Sequence, residues 1–540
     1  MGVVYGLLIL GAVTTLYPFL LMVSSSVTGP TDQNLNKLVP GFFRDYGLTE
    51  TDWTKPQPHL LGKYLDDKYS SDLSRIQSTR IGAKASEEDV KAYEKLLAEA
   101  PVGLWEAGFR QASGQVTSKL TLRYQAWLKE RYKTVQDVNR AYLEENVAFT
   151  TVVPPSELLA RKNWRSPGDR KYREYQEFKA TLPAEFRVPV RIEAMWQEFL
   201  RSRSEGRLES VPAELRVGIK RYEDLRWPGS HPLVEEFVQK AVPPQFLEDS
   251  IELRWGQLRP PTGPEANPQE GAPALRAALP AAPGRTDAAT QLAAINPNLP
   301  VDAYERAHVA TNAQAVKNEF ATRNYRYVFD YLALNGRAVL NTAIFCLMVI
   351  AAQLLVNPLA AYALSRYPIK ATGKILIFLL ATMAFPAEVA MIPSFLLLKD
   401  LGLLNTFWAL VLPGAASGYM IYLLKGFFDS LPQELYESGA IDGAKEITMM
   451  WKIALPLSRP VLGYLALLAF MGAYGAFIFA FLIVQDRNMW TLMVSIYQLQ
   501  MVAPKAVIMA ALTVAAAPTL LVFLLTQRVI MRGIVLPGER

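Results

Sequence analysis

Six runs of roughly twenty mostly apolar residues restrict what this chain can become: 3–25, 339–363, 374–396, 404–427, 461–484 and 505–529, with ends read to within a few residues. Each is long enough to cross the hydrocarbon layer as a helix. Lipid offers no partner to an open backbone, so the fold class they dictate is an all-α polytopic membrane protein with six transmembrane helices. Prolines at 18, 358, 386, 393, 413 and 518 interrupt these runs, and kinks are expected there. Between the first and second runs lies a different material. Residues 27–336 hold 42 of the 56 Lys and Arg and 41 of the 50 Asp and Glu, leaving 14 basic and nine acidic residues for everything else. A polar block of that size can bury a core of its own.

Orientation follows from charge. The first run has no basic n-region, is too long for a signal-peptide core and lacks a small-x-small cleavage site, so it is expected to stay as a membrane helix. Arg366, Lys370 and Lys374 stand without an acid between the second and third runs, and Arg528, Arg532 and Arg540 face only Glu539 at the end. The alternate connections are near neutral, with Lys399 beside Asp400, and Asp486 beside Arg487 and Lys505. Positive loops favour the cytoplasm, which places both termini there and residues 30–335 outside. Two features oppose this: the 430–460 loop is slightly acidic, and Arg323, Arg326 and Arg337 lie just before the second run.

The 430–460 loop is polar and wedged between two apolar runs. Ser430 and Gln433 have capping-box spacing, Pro432 suits a first helical turn, and a helix is expected from about Leu431. Asp442-Gly443 should end it, because glycine adopts positive φ without a Cβ clash. A second helix is expected from about Lys445 to Pro456, with Ile447, Met450, Trp451 and Ala454 on one apolar stripe.

The run from Glu437 through Asp442, Gly443 and Ala444 to Leu455, Pro456, Leu457 and Pro460 resembles the coupling (EAA) loop of binding-protein-dependent ABC importer permeases, in its carbohydrate-uptake form. Leu16–Ser26 and Asn341–Tyr367 are similar to the first two membrane helices of the maltose-type inner permease family. The resemblance covers residues 1–29 and about 323–540. It implies a type I importer fold in the bacterial inner membrane, a sugar or oligosaccharide as solute, and a loop held by a separate ATPase. Glu437, Ala440, Asp442, Gly443, Ala444, Leu455 and Pro456 become the coupling residues: Glu437 pairs with a basic group of the ATPase cleft, Gly443 sets the turn and Asp442 orients it. A solvated helix face is the plain alternative for Glu437. The implied partners are a second permease subunit, a cytoplasmic ABC ATPase dimer, an extracytoplasmic substrate-binding protein and the lipid bilayer, with no nucleic acid. The chain has no GxxxxGK[ST] phosphate loop, so no cofactor is expected on it and ATP belongs to the partner.

The family's relatives have a short loop where this chain carries residues 30–255. That insert reads as mainly helical, as in ASEEDVKAYEKLLAEA and VRIEAMWQEFLRSR. Tyr124–Arg131 matches Trp196–Arg203 in pattern, and Tyr64-Leu65 with Lys68-Tyr69 echoes Trp127-Leu128 with Arg131-Tyr132, which suggests repeated helical units. Residues 256–300 are rich in Pro, Ala and Gly and read as a linker. Residues 301–338 lead into the permease core at 339–540, with Asn324–Leu340 an amphipathic approach to the bilayer.

Chemistry is sparse. His59, His231 and His308 lack metal-ligand spacing, and the single cysteine, Cys346, reads as an apolar filler that leaves the insert without a disulfide. No catalytic residues are expected, and no enzyme. YQAWLKERYKTVQDVNRAY resembles a surface helix of some glycoside hydrolases, but a Trp-Leu stripe at this spacing reads first as core packing. Glu388, an ionisable residue in the third run, is a pathway candidate, with interfacial pairing as its alternative. Tyr474 and Phe477 could stack on a sugar ring or pack helix on helix near Gly472 and Gly475. The family's usual Trp-Asn is absent there. The competing readings are a permease for another solute, such as a peptide or polyol, and a membrane-anchored ectodomain acting as a sensor or glycan-processing module.

Overall fold

A computed structural model of the chain describes residues 2–29, 31–48, 57–78, 85–110, 118–146, 148–228, 231–260, 292, 295–334, 337–367, 369–383 and 386–533. These are mainly helical, with one two-stranded antiparallel ribbon among them. The chain divides into two compact units, Met1–Ser26 with Asn324–Arg540, and Val27–Arg323. The division falls inside the segment expected to lead into the second membrane helix.

In the first unit three helices are long and apolar enough to cross a bilayer alone, Val4–Ser25, Ala338–Arg366 and Lys505–Gln527. At 29 residues the second extends about 43 Å. Pro18, Pro358 and Pro518 lie inside these helices without ending them. The other runs are broken. Thr372–Met383 and Ala387–Asp400 divide the third, with Pro386 at the cap of the second piece and residues 384–385 outside the described residues. Phe407–Gly414 and Gly418–Asp429 meet at 52° next to Pro413, the fifth run divides into Arg459–Gly475 and Ile478–Ile483, and Arg459–Gly475 meets the preceding Glu446–Leu457, the second arm of the 430–460 loop, at 82°. Counting each bent pair as one span raises the total to five.

Broken backbone within apolar surroundings needs polar partners, and the second helix supplies them. Asn357, fully buried, accepts the Ser417 N–H at 2.8 Å where the fourth run breaks. Asn341 donates to the carbonyls of Asn488 and Trp490, and the Thr342 hydroxyl accepts from Leu492 N–H at 2.7 Å. In the approach helix, Asn324, Val328 and Leu332 form a buried row at i, i+4, i+8 while Phe329 is exposed, the amphipathic pattern expected.

The unit Val27–Arg323 has its own apolar core, which runs from Phe42 to Phe320 and includes Tyr93, Trp105, Tyr124, Trp196 and Phe237. Trp127 packs on that core and Leu128 is buried in it, so the Trp-Leu stripe does serve packing. A helix, a 3₁₀ turn, a short strand and another helix occur twice: Glu87–Glu99, Val102–Leu104, Trp105–Ala107, Lys119–Arg131, then Arg170–Ala180, Ala184–Phe186, Arg187–Pro189, Ile192–Arg203. The two strands pair about Glu106↔Val188. Equivalent bonds flank them, Gly108 N–H to Phe186 O at 2.7 Å and Val190 N–H to Leu104 O at 3.0 Å. The segments matched by sequence also make the same contact: Gln125 donates to the carbonyls of Thr150 and Val152, and Gln197 to those of Glu223 and Leu225. In the third echo, Tyr69 and Tyr132 each cap the C-terminus of their helix.

The Pro/Ala-rich stretch is anchored at both ends. Helix Ile251–Leu258 runs into it, and Leu292, Ile295 and Leu299 return to the core, where Trp255 donates to Asn298 O. Apolar side chains at those positions provide the anchors; residues 261–291 lie outside the described residues. No group of acidic, His or Cys side chains suited to a metal occurs among the described residues.

Candidate functional site

The polar hairpin folds from the turn outward. Helix Gln433–Ile441 ends at Asp442, and Gly443 takes φ +76°. Ala444 N–H then reaches Gly439 O at 2.9 Å and Gly443 N–H reaches Ala440 O at 3.0 Å, the paired bonds of a Schellman cap. Nothing lies within 4 Å of a Cβ built on Gly443, so its requirement is conformational. Gly439 sits in a close contact: a Cβ there would meet Ile453 Cδ1 at 3.3 Å and Met449 Sδ at 3.4 Å.

Two expectations need correction. The helix begins at Gln433 with Pro432 as its cap, because the Ser430 hydroxyl bonds back to Phe427 O and closes the preceding helix. No capping box forms. The second helix is not uniform either: α over Glu446–Met449, π over Met450–Ala454, α over Leu455–Leu457. Pro456 stands inside it and does not end it. The break comes at Ser458, because Pro460 lacks an N–H and its ring would strike the carbonyl four residues back. The expected stripe therefore divides. Met450 and Ala454 are buried, while Ile447 and Trp451 are 53% and 54% exposed.

One aromatic clamp fastens the hairpin to the second membrane helix. The Tyr436 ring is buried under the Arg366 guanidinium, 3.8 Å from centroid to Cζ, and 6.4 Å from the Tyr362 ring. The Tyr362 hydroxyl donates to Glu446 at 2.8 Å, tying the second arm to the same point. Ser365 donates to Asp429 at 2.6 Å just before the hairpin. The outer surface is left open: Glu437, Ala440, Asp442 and Gly443 are exposed, Ala444, Leu455 and Pro456 half-buried, and Ile441 is 86% exposed beside Ile447 and Trp451. The hairpin is thus tied on its inner side to the second membrane helix, and its exposed positions carry apolar side chains together with carboxylates.

Tyr362, Arg366, Tyr436, Gly439 and Glu446 are the residues sequence reading did not select. The one aromatic in QELYESGAI, Tyr436, is the available signal. The pathway candidates do not come together with the hairpin residues. Tyr474 is buried and donates to Ala515 O at 2.6 Å, a helix-to-helix contact. Phe477 is half-buried against Phe481 and Tyr497. Glu388 sits in helix Ala387–Asp400, and its side chain lies outside the described residues.

Helices of membrane length, breaks satisfied by buried asparagines and a clamped polar hairpin with an exposed outer surface are the features of a polytopic membrane protein. The family model "Binding-protein-dependent transport system inner membrane component" matches residues 337–535. Among relatives, LplC of Bacillus subtilis is 36% identical over 204 residues, covering 37% of this chain and 65% of LplC. The polygalacturonan/rhamnogalacturonan transport system permease protein YtcP of B. subtilis is 30% identical over 41% of this chain and 82% of its own length. The maltodextrin transport system permease protein MalD of Streptococcus pneumoniae is 32% identical over 40% and 79%. A solved chain from a bacterial ABC transporter involved in alginate import overlaps 35% of this chain and 73% of its own at 24% identity and TM-score 0.33. Membership rests on the sequence relatives: the chain belongs to the binding-protein-dependent transport system inner membrane components. It spans about two thirds of LplC, and Val27–Arg323 lies outside the matched segment.

Proposed function

We propose that the chain is a permease subunit of an ATP-driven importer for a sugar or oligosaccharide, forming half of the translocation pathway and taking its power stroke through the 430–460 hairpin. The observation that carries this reading is the hairpin itself, clamped through Tyr436 and exposed at Glu437, Ile441, Ile447 and Trp451. Its partners are a second permease, a cytoplasmic ATPase dimer that binds ATP, and an extracytoplasmic substrate-binding protein. Glu437 meets a basic group of the ATPase, and Gly443 and Asp442 hold the turn that delivers it.

The clamp supports a topology for this reading. Arg366 belongs to the positive connection and also holds Tyr436, so the charge that favours the cytoplasm and the hairpin occupy one end of one helix. Both termini are then cytoplasmic, the broken third, fourth and fifth runs each cross once to give six spans, and the insert is extracytoplasmic. The sugar assignment is supported by the names of YtcP and MalD. Similarity to the sn-glycerol-3-phosphate transport system permease protein UgpE of Yersinia pestis, 32% identical, supports a phosphorylated polyol as second reading. A solute screen of the cognate binding protein separates the two. Uptake measured in cells with Glu437→Ala and Gly443→Pro combined should fall to background with the permease still in the membrane; unchanged uptake sinks the coupling assignment.

A further inference from the structure

Shortly after the first membrane helix, between Asn34 and Leu48, the unit Val27–Arg323 displays apolar side chains that its own core does not take up. Leu35, Leu38, Val39, Phe43, Tyr46 and Leu48 are each 38–46% exposed. The more exposed apolar side chains elsewhere in the unit, Leu143 and Val217, occur singly along the chain. A contiguous apolar surface marks a place that something covers.

The backbone holds this surface open. In the single-turn helix Gly41–Arg44, Phe42 is fully buried against the edge of Phe320, while Phe43 beside it is exposed. Leu60 and Leu61 donate their N–H groups to Asp45 O and Tyr46 O at 3.0 and 3.1 Å, and Lys317 donates to Phe43 O at 3.2 Å. Folding the exposed side chains inward would break these bonds.

Position and charge identify the cover. Leu35 is nine residues past Ser26, and the path between them is wound into turns, Gln33 N–H to Gly29 O and Leu35 N–H to Asp32 O, so it is shorter than its extended length of about 30 Å. Lys317 lies over the Tyr46 ring at 4.0 Å and stands seven residues, about 10 Å of helix, before Asn324. Asn324 donates to the carbonyl of Ser26, the residue that follows helix Val4–Ser25. Both routes from the patch to a membrane helix are short. Lys37 and Arg44 are the basic residues of 34–48, and the one acid there, Asp45, accepts Gly47 N–H at 2.8 Å. Aromatic and aliphatic side chains interleaved with cations suit the layer where rings sit among headgroups and basic side chains reach phosphates.

We infer that residues 34–48 are an interfacial anchor: their apolar side chains enter the boundary between headgroups and acyl chains of the adjoining leaflet, Lys37 and Arg44 meet lipid phosphates, and the insert is held down on the bilayer. The partner is a phospholipid surface. The inference rests on helix Val4–Ser25 spanning the membrane, and it holds for either face, for any solute and whatever grips the hairpin.

The test is fluorescence quenching of the purified full chain in nanodiscs of phosphatidylcholine and phosphatidylglycerol in equal parts. With Cys346→Ala in the background, bimane is attached at Leu38→Cys or, as the reference, at Val217→Cys. Lipids brominated close to the headgroup should quench the Leu38 probe about two- to fivefold more than the reference, as befits a side chain about 5–10 Å into the boundary, and aqueous iodide should quench it less. Leu35→Asp with Phe43→Asp should bring lipid quenching at position 38 down to the reference, with the melting temperature in detergent unchanged because both side chains are already exposed. Lipid quenching at position 38 no greater than the reference overturns the inference, whether iodide reaches the probe, as on a bare surface, or is kept out, as under a second copy of the chain. Lipid quenching that survives the double substitution overturns it as well.

Discussion

The Tyr436 clamp makes a quantitative claim about the hairpin. Truncating a buried aromatic to alanine costs about 3–5 kcal/mol, and losing a guanidinium over its face adds about 1 kcal/mol. Little of this can be recovered elsewhere, because Tyr436 is the side chain of helix Gln433–Ile441 that is buried. In Tyr436→Ala, the free energy that holds the hairpin closed should therefore fall by about 4–6 kcal/mol. Amides closed by the turn, those of Gly443 and Ala444, should exchange about three to four orders of magnitude faster. The assay is hydrogen–deuterium exchange of the full chain in detergent, read in peptides over 433–449. Tyr436→Phe is the control. The Tyr436 hydroxyl is buried without a partner among the described residues, so its removal should leave exchange unchanged or slower. If Tyr436→Ala exchanges like the parent, or Tyr436→Phe opens the turn as much as alanine does, the clamp is not what makes the hairpin rigid.

Gly443→Ala should cost about 1–2 kcal/mol of hairpin stability and Gly443→Asn less, since φ +76° strains alanine more than asparagine while neither meets a neighbouring atom; the same exchange experiment ranks them. Burial raises Glu252 to about 7, and burial with the neighbouring Asp67 raises Asp66 to about 6. Both ionise near pH 4 in the unfolded chain, so the native insert holds protons the unfolded chain has released, and stability falls as pH rises from about 4 to 7. Seven of the ten tryptophans lie within 27–323, so tryptophan fluorescence should report a lower melting temperature for the insert at pH 8 than at pH 5, with a smaller drop in Glu252→Gln. Lys179 and Glu157 form a buried pair at 2.9 Å; Lys179→Met should destabilise the insert by about 3–5 kcal/mol in denaturant melts, and adding Glu157→Leu should restore much of it.

What the sequence made legible was local. The turn at Asp442-Gly443 could be read because a left-handed residue after a helix has one favoured solution, and three of the six membrane runs, Val4–Ser25, Ala338–Arg366 and Lys505–Gln527, because apolar length has one meaning in lipid. Contacts with distant residues were not legible. The close fit around Gly439 depends on Met449 and Ile453 across the hairpin, and the burial of Tyr436 depends on Arg366, seventy residues upstream. Ser430 misled because a serine at a helix junction can serve either neighbour, and here it closes the helix before it. The breaks at Pro386 and Pro413 fall at two of the prolines where kinks are expected, but the sequence does not separate them from Pro18, Pro358, Pro393 and Pro518, which sit inside continuous helices. In the insert, the repeat appeared only where side chains do the same work, at Gln125 and Gln197. Its strands, WEA and RVP, share no residue, and what repeats there is the backbone bonding around them.

The central claim is that the hairpin's open face is an ATPase-binding surface. Its most direct test is site-specific cross-linking in cells. With Cys346→Ala removing the single native cysteine, Ile441→Cys places a thiol at the exposed tip of the hairpin, and Leu143→Cys, 92% exposed, places one on the insert. A short thiol-to-amine cross-linker should join Ile441→Cys to a polypeptide carrying a nucleotide-binding phosphate loop, identified by mass spectrometry, and Leu143→Cys to none. If Ile441→Cys captures no such subunit while the permease is correctly inserted, or if Leu143→Cys captures it instead, the hairpin is not the coupling surface.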